Sequence, residues 1–126
     1  MVTLAIIGLN LLVSLAGFAA FRKEDRVERF LFIPYLFQTG QNTTGFFLSH
    51  FSHANFFHLF LNMFSLASFA GSILEISDNE TFVFIYIAAG LGGDALVYFL
   101  RRNQSDYRCL GASGSVVGII FAAIVY

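Results

Sequence analysis

The sequence predicts an all-α protein, a polytopic transmembrane helical bundle with three complete spans and the start of a fourth. Hydrophobic residues make up 57% of the 126 residues and charged residues only 12%, whereas soluble domains are about half apolar and roughly a quarter charged. The apolar residues are gathered into long stretches that short charged segments separate. The 17 phenylalanines suit a surface that faces lipid.

The first predicted span covers residues 2–21. It contains no charge, and its polar residues are Thr3, Asn10 and Ser14. About 20 residues at 1.5 Å rise extend about 30 Å, which is the thickness of one bilayer core. Because no basic region precedes this stretch, we interpret it as a transmembrane helix and not as a cleavable signal peptide. A charged run at residues 22–26 ends it.

Residues 22–55 form a long first connection. Within it, residues 30–37 are apolar but too short to span a membrane, and Pro34 should interrupt any helix there. Two interpretations stay open: an interfacial or re-entrant segment, or a loop that packs against the helices. Residues 38–44 are polar and predict a loop.

Three further apolar segments follow, at residues 56–74, at residues 82–100 and from residue 111 to the last residue. Small or charged residues interrupt the apolar run in the middle of the third segment: Gly90, Gly92, Gly93 and Asp94. We expect Asp94 to face a wet cavity or to pair with a residue outside this chain. About 16 residues of the fourth segment are present and no cap closes it. The sequence therefore predicts one membrane domain, 1–126, that is incomplete at its C-terminus.

Polar groups inside a membrane are costly and are therefore candidates for function. His58 and Asn62 are four residues apart on the second segment, which places them on one face of a helix, one turn apart. Both side chains can donate hydrogen bonds. The alternative is that they join helices to each other by hydrogen bonds.

Residues 111–115, Gly-Ala-Ser-Gly-Ser, open the fourth segment. A serine at the start of a helix is surrounded by free backbone N–H groups, which together with the helix dipole can stabilise negative charge on a substrate oxygen. The glycines Gly111 and Gly114 allow another backbone to come close. The alternative is that Ser113 is an N-cap in a glycine-rich turn.

Gly114, Gly118 and Ala122 recur every four residues and form a stripe of small residues on one face of the fourth segment. Such a stripe allows a second helix to approach closely. No partner is obvious among the segments of this chain, so the sequence predicts a tightly packed helix that the chain does not contain.

Together these motifs resemble the rhomboid family of intramembrane serine proteases. The resemblance covers nearly all of the chain. It rests on residues at the entry to the second segment, at its end, and in the fourth segment: His53, His58, Asn62, Gly71, Glu75, Gly111, Ala112, Ser113, Gly114 and Gly118.

The resemblance implies a role for each of these polar residues. Ser113 would be the nucleophile, and His58 and Asn62 would form the oxyanion hole with the backbone N–H of Ser113. His53 would be a structural histidine beside the site. The catalytic histidine of the family lies on the sixth helix, in a segment that this chain does not contain.

The resemblance also implies a substrate class and a setting. The family cleaves peptide bonds in or near transmembrane helices with a Ser–His dyad and without a metal or cofactor. The expected partners are therefore transmembrane protein substrates and the lipid bilayer. The net charge of -1 gives no overall attraction to nucleic acid.

A serine hydroxyl is a weak nucleophile until a base removes its proton. His58 cannot readily be both oxyanion donor and base, so we expect the isolated 126-residue chain to be inactive. Two other functions stay open: an inactive rhomboid-like protein that binds transmembrane helices, and a membrane protein that holds a metal ion with His50, His53 and His58. The metal-binding alternative has no acidic or cysteine ligands near these histidines in the sequence.

The direction of insertion is predicted differently by two arguments. The positively charged residues all fall in the first connection and in the segment after the third span: Arg22, Lys23, Arg26, Arg29, Arg101, Arg102 and Arg108. The family arrangement places both segments outside, whereas the positive-inside rule places them in the cytoplasm. We follow the family and expect a multi-pass protein of a bacterial inner membrane.

Overall fold

A computed structural model describes residues 1–126, apart from the side chains of Glu24 and Asp25. The described chain is all-α, as predicted. Its elements are α1 (Val2–Ala20), α2 (Glu24–Val27), a 3₁₀ turn (Glu28–Phe30), α3 (Pro34–Phe37), α4 (Thr43–Ser49), α5 (Phe56–Ile76), α6 (Asn79–Arg101) and α7 (Ser113–Val125). Helices α1, α5 and α6 are long and apolar enough to cross a membrane, and α7 is a shorter apolar helix.

Helix α6 is continuous through residues 90–94, which interrupt the apolar run of the third segment without breaking the helix. A glycine inside a helix costs only about 1 kcal/mol relative to alanine, and Gly90 is buried where α6 meets Ser115 of α7. Pro34 does not break a helix either. It stands at the start of α3, where its missing N–H would have had no partner inside the helix.

The apolar part of the first connection packs against the rest of the described chain, as the loop interpretation expects. Phe32 and Ile33 are buried. Phe32 exchanges backbone hydrogen bonds of 2.8 and 3.1 Å with Cys109, and its ring packs edge-on against Phe37 and Phe46. The first connection is thereby joined to residues 102–112, the third connection.

Asn42 organises the rest of this loop. It lies in the left-handed region, with φ 60°, and its Oδ1 accepts a hydrogen bond from the backbone N–H of Ile33 at 2.8 Å. Its Nδ2 donates to the carbonyl oxygens of Glu28 and Leu31, both at 3.1 Å. Helix α4 begins directly afterwards. Residues 43 and 44 are therefore helical, although the sequence predicts a loop for them.

The core of the bundle lies between α5, α6 and α7. On α5 the buried apolar residues follow a spacing of four and three and so form one stripe: Leu59, Met63, Leu66, Ala70 and Ile73. They meet Phe82 and Tyr86 of α6 and Val116 and Ile119 of α7. Large apolar side chains point outward elsewhere on these helices, among them Phe60, Phe64, Phe84, Phe99 and Phe121, which suits contact with lipid.

The small-residue stripe of α7 is covered by α6. A Cβ atom on Gly118 would overlap the Cβ of Ala89, and one on Gly114 would lie 3.8 Å from the carbonyl oxygen of Ala89. The prediction of a partner helix outside the chain is therefore wrong. The hydropathy pattern of α7 could not identify α6 as the partner helix, because the small residue that allows the close approach, Ala89, belongs to α6.

The two basic segments lie together at one end of the bundle. Gln38 donates a hydrogen bond to the carbonyl oxygen of Arg102 at 2.8 Å, and Arg108 lies 3.7 Å from the Glu28 carboxylate. Helix α5 leads away from this end, α6 returns to it, and α7 starts from it. The end that carries the start of α7 is therefore also the positively charged end.

Candidate active site

Ser113 is the first residue of α7, and its side chain is exposed. The N-cap position belongs to Ala112, so the alternative of a capping serine does not hold. Before it, Gly111 turns the chain with φ 120°, and its backbone N–H donates to the carbonyl oxygen of Ser49 at 2.8 Å. Ser113 is thus held at a helix N-terminus, where free N–H groups and the helix dipole favour negative charge.

His58 lies across Gly111 from Ser113. A Cβ atom placed on Gly111 would be 3.0 Å from Cε1 of His58, 3.5 Å from Nε2 of His58 and 3.7 Å from Oγ of Ser113. The absence of a side chain at Gly111 therefore leaves a small gap that both groups border. Asn55 fixes the start of α5, since its Oδ1 accepts a hydrogen bond from the backbone N–H of His58 at 2.9 Å.

Asn62 follows His58 by one turn on α5 and is buried, with 8% of its surface exposed. Its Nδ2 has no hydrogen-bond partner among the described residues. A buried amide donor without a partner costs free energy, so Asn62 is available to donate to a bound group. No direct contact joins Asn62 to Ser113 within the described structure.

His53 is completely buried beside His58, and the centroids of the two rings are 5.1 Å apart in an edge-to-face arrangement. Its Nδ1 lies 2.8 Å from Oγ of Ser14 on α1. Burial lowers the pKa of His53 to about 4, and the neighbouring His58 acts in the same direction. His53 is therefore neutral near pH 7.

A cavity of about 270 Å³ opens beside Ser113, and its lining includes Gly111, Gly114, His50 and Asp94. The expectation that Asp94 faces a cavity is therefore confirmed. Its partner, however, lies within this chain: Nε2 of His50 is 2.9 Å from Oδ2 of Asp94. His58 and Asn62 do not line this cavity, and His58 borders Ser113 from the side of α5.

His50 is held at both ring nitrogens. Its Nδ1 is 2.9 Å from the carbonyl oxygen of Phe46. Its Nε2 forms an ion pair with the Asp94 carboxylate, although the two atoms are poorly aligned for a hydrogen bond. The Asp94 carboxylate raises the pKa of His50 above its usual value, against the opposing effect of burial. With an acceptor at each nitrogen, His50 is not a free base for Ser113.

The described residues thus bring together a serine, a helix N-terminus and two side-chain donors. Oγ of Ser113 forms no hydrogen bond with any of the three histidines described. Within that part of the chain, no group of three His, Cys, Asp or Glu side chains is arranged to hold a metal ion. The arrangement offers hydrogen-bond donors and a helix dipole that can stabilise negative charge.

The sequence does not predict His50 as a residue of the Ser113 cavity or Ser14 as the partner of His53. A charge in the middle of a span did draw attention to Asp94. Nothing in the sequence identifies His50 as the partner of Asp94, because His50 lies in the first connection and Asp94 in the third span. Ser14 was noticed only as a polar interruption of the first span.

Comparison with known proteins gives one family. The family model described as the Rhomboid domain matches residues 40–126. The chain is 38% identical over 76 residues to the presenilin-associated rhomboid-like protein, mitochondrial, of Mus musculus, and 37% identical over 76 residues to that of Homo sapiens. A zebrafish relative, presenilin-associated rhomboid-like protein A of Danio rerio, is 32% identical over the same length.

These matches cover 60% of this chain and 20% of each relative, so the chain matches about a fifth of the length of these curated relatives. No solved structure matches the chain. The relatives are mitochondrial by name, and they give no support to the expected bacterial inner membrane. The helices and the family together identify an integral membrane protein.

Proposed function

The chain belongs to the rhomboid family, and on that basis we propose that it is part of an intramembrane serine endopeptidase that cleaves transmembrane or juxtamembrane segments of other membrane proteins. Ser113 is the proposed nucleophile. The observation that carries the proposal is the position of Ser113 at the N-terminus of α7, facing His58 across Gly111.

In this proposal Ser113 attacks the carbonyl carbon of the scissile peptide bond, and the carbonyl oxygen gains negative charge. The backbone N–H of Ser113, His58 and Asn62 donate hydrogen bonds to that oxygen. Such donors are fixed before the reaction, and removal of one typically costs roughly 100- to 1,000-fold in kcat. The dipole of α7 acts in the same direction.

The base that activates Ser113 is proposed to be a histidine on a helix beyond this chain. His50 faces acceptors at both nitrogens, His53 is buried and bonded to Ser14, and His58 is the proposed oxyanion donor. We therefore expect the isolated 126-residue chain not to cleave substrates.

The test uses the protein expressed from the full reading frame that contains this chain, reconstituted in liposomes with a transmembrane substrate. Ser113→Ala should abolish cleavage, because the attacking oxygen is lost. Ser105→Ala is the matched control, since Ser105 is an exposed serine near the same end of the bundle, and it should leave the rate unchanged. Equal cleavage by Ser113→Ala and the unmodified protein would refute the assignment.

A second candidate is an inactive rhomboid-like protein that binds transmembrane helices. The observation in its favour is that Oγ of Ser113 has no hydrogen bond to a histidine within the described structure. Under this alternative, cross-linking would capture a transmembrane helix next to α5 or α7, while the full-length protein would show no cleavage with or without Ser113.

A further inference from the structure

Helix α1 places its polar residues toward the protein. Asn10 and Ser14 are completely buried, although α1 is largely apolar and exposes several of its leucines. Asn10 donates a hydrogen bond to the hydroxyl of Tyr86 at 3.1 Å, and Ser14 contacts the segment that precedes α5. Polar groups at membrane depth are retained where they serve a purpose, and the contact of Ser14 leads toward His58.

The hydrogen bonds of Ser14 determine which nitrogen of His53 carries the proton. Oγ of Ser14 lies 3.0 Å from the carbonyl oxygen of Phe51 and 2.8 Å from Nδ1 of His53. A carbonyl oxygen only accepts hydrogen bonds, and a hydroxyl has one proton. If that proton pointed to His53, two acceptor oxygens would face each other and a buried carbonyl would lose its donor.

The hydroxyl therefore donates to Phe51 and accepts a hydrogen bond from Nδ1–H of His53. Neutral imidazole has a single N–H, so Nε2 of His53 has a free lone pair. This atom is buried and has no hydrogen-bond partner among the described residues. The aromatic ring that packs against His53 is that of His58.

His58 has the complementary requirement. Its Nε2 and Cε1 face Gly111 and the Ser113 side, so Nδ1 is the nitrogen left for a neighbour on the other side. An acceptor beside the Nδ1 side of the ring favours the orientation in which Nε2 of His58 faces the oxygen that gains charge.

We propose that Ser14 is a positioning residue of the protease site: it fixes His53 as the Nδ1–H tautomer, which leaves the unpaired Nε2 of His53 as an acceptor beside the ring of His58 and orients that ring toward the substrate oxyanion. This role rests on the function proposed above. It makes α1, through one hydroxyl, part of the site.

The experiment uses the reconstituted protein of the full reading frame, with ¹⁵N-labelled histidine. The spectrum identifies the protonated nitrogen of His53, and the signal lost in His53→Gln gives its assignment. Ser14→Ala removes the acceptor of Nδ1–H and should shift His53 toward the Nε2–H tautomer. It should also lower kcat about tenfold, less than the loss of an oxyanion donor, with little change in KM.

Ser14→Thr keeps the hydroxyl and should restore both the tautomer and kcat. Ser68→Ala is the matched control, because Ser68 also donates to a carbonyl oxygen of its own helix, that of Phe64, but is exposed. It should change neither readout. A purely structural role would lower the melting temperature without moving the tautomer.

Three results would overturn the inference: a proton on Nε2 of His53 in the unmodified protein, an unchanged tautomer in Ser14→Ala, or a changed tautomer with unchanged kcat. Failure of the proposed function is distinct from these. If the protein cleaves no substrate, the protease assignment fails, while the spectrum alone decides whether Ser14 fixes His53.

Discussion

Gly111 separates the two groups on which the proposed chemistry depends. Its φ of 120° lies in a region that residues with a side chain rarely adopt, and a Cβ atom there would be 3.0 Å from Cε1 of His58. The residue therefore has two independent reasons to be glycine. One concerns the backbone turn into α7, and the other concerns the space between Ser113 and His58.

Gly111→Ala should abolish most activity, since the new methyl group displaces His58 and the strained backbone costs about 1–3 kcal/mol. Gly40→Ala is the matched control: Gly40 has φ 80° but open space around its Cβ position. Both variants should melt earlier than the unmodified protein, and only Gly111→Ala should lose cleavage at a temperature where both remain folded. Equal activities would show that the gap at Gly111 has no catalytic importance.

The positions of single residues were predictable from sequence only where a local motif carries them. Ser113, His58 and Asn62 stand in short motifs, and the structure places Ser113 at a helix start and His58 beside it. His53 and Ser14 are 39 residues apart. Their contact depends on how α1 packs, and the chain gives no local signal of that packing.

The spanning helices were predicted closely because hydropathy is a property of composition and length. The short helices α3 and α4 were not, since contacts distant in sequence stabilise them. Asn42 joins three parts of the first connection, and the rings of Phe32, Phe37 and Phe46 pack together. A glycine-rich stretch also does not end a helix when a neighbouring helix needs that close approach.

The contact of α6 with α7 can be tested at Ala89 and Gly118. Gly118→Ala should destabilise the protein by about 1–3 kcal/mol, because its methyl group would overlap that of Ala89. The double variant with Ala89→Gly should regain most of that loss. Thermal melting in detergent measures both.

Gly71→Ala provides the control for this pair, since its Cβ position on α5 is open. It should leave stability unchanged or raise it by up to about 1 kcal/mol, as expected for replacing a helical glycine. If Gly118→Ala behaved like Gly71→Ala, α6 and α7 would not be in the close contact described here.

On the scale of the whole molecule, the basic segments and Ser113 share one end of the bundle. The acidic residues Glu75, Asp78 and Glu80 lie at the other end, between α5 and α6. The positive-inside rule and the family arrangement therefore make opposite predictions for the membrane side of Ser113 itself. No contact between helices decides between them.

Labelling with a membrane-impermeant thiol reagent decides the orientation. We expect Ser105→Cys to be labelled from the outer side and Asn79→Cys, at the opposite end, from the inner side. The native thiol should contribute little background, because burial raises the pKa of Cys109 to about 12 and the thiol form reacts weakly. Labelling of Ser105→Cys from the inner side alone would reverse the orientation.

The pair of hydrogen bonds between Phe32 and Cys109 also has a consequence for the order of assembly. The two residues are 77 positions apart, and closing a loop of that length costs about 4 kcal/mol of chain entropy. Helices α5 and α6 both lie inside that loop, so the join can form only after both have been synthesised. Ser113 follows the join by four residues, so we expect the turn into α7 to become ordered only after α5 and α6 have left the ribosome.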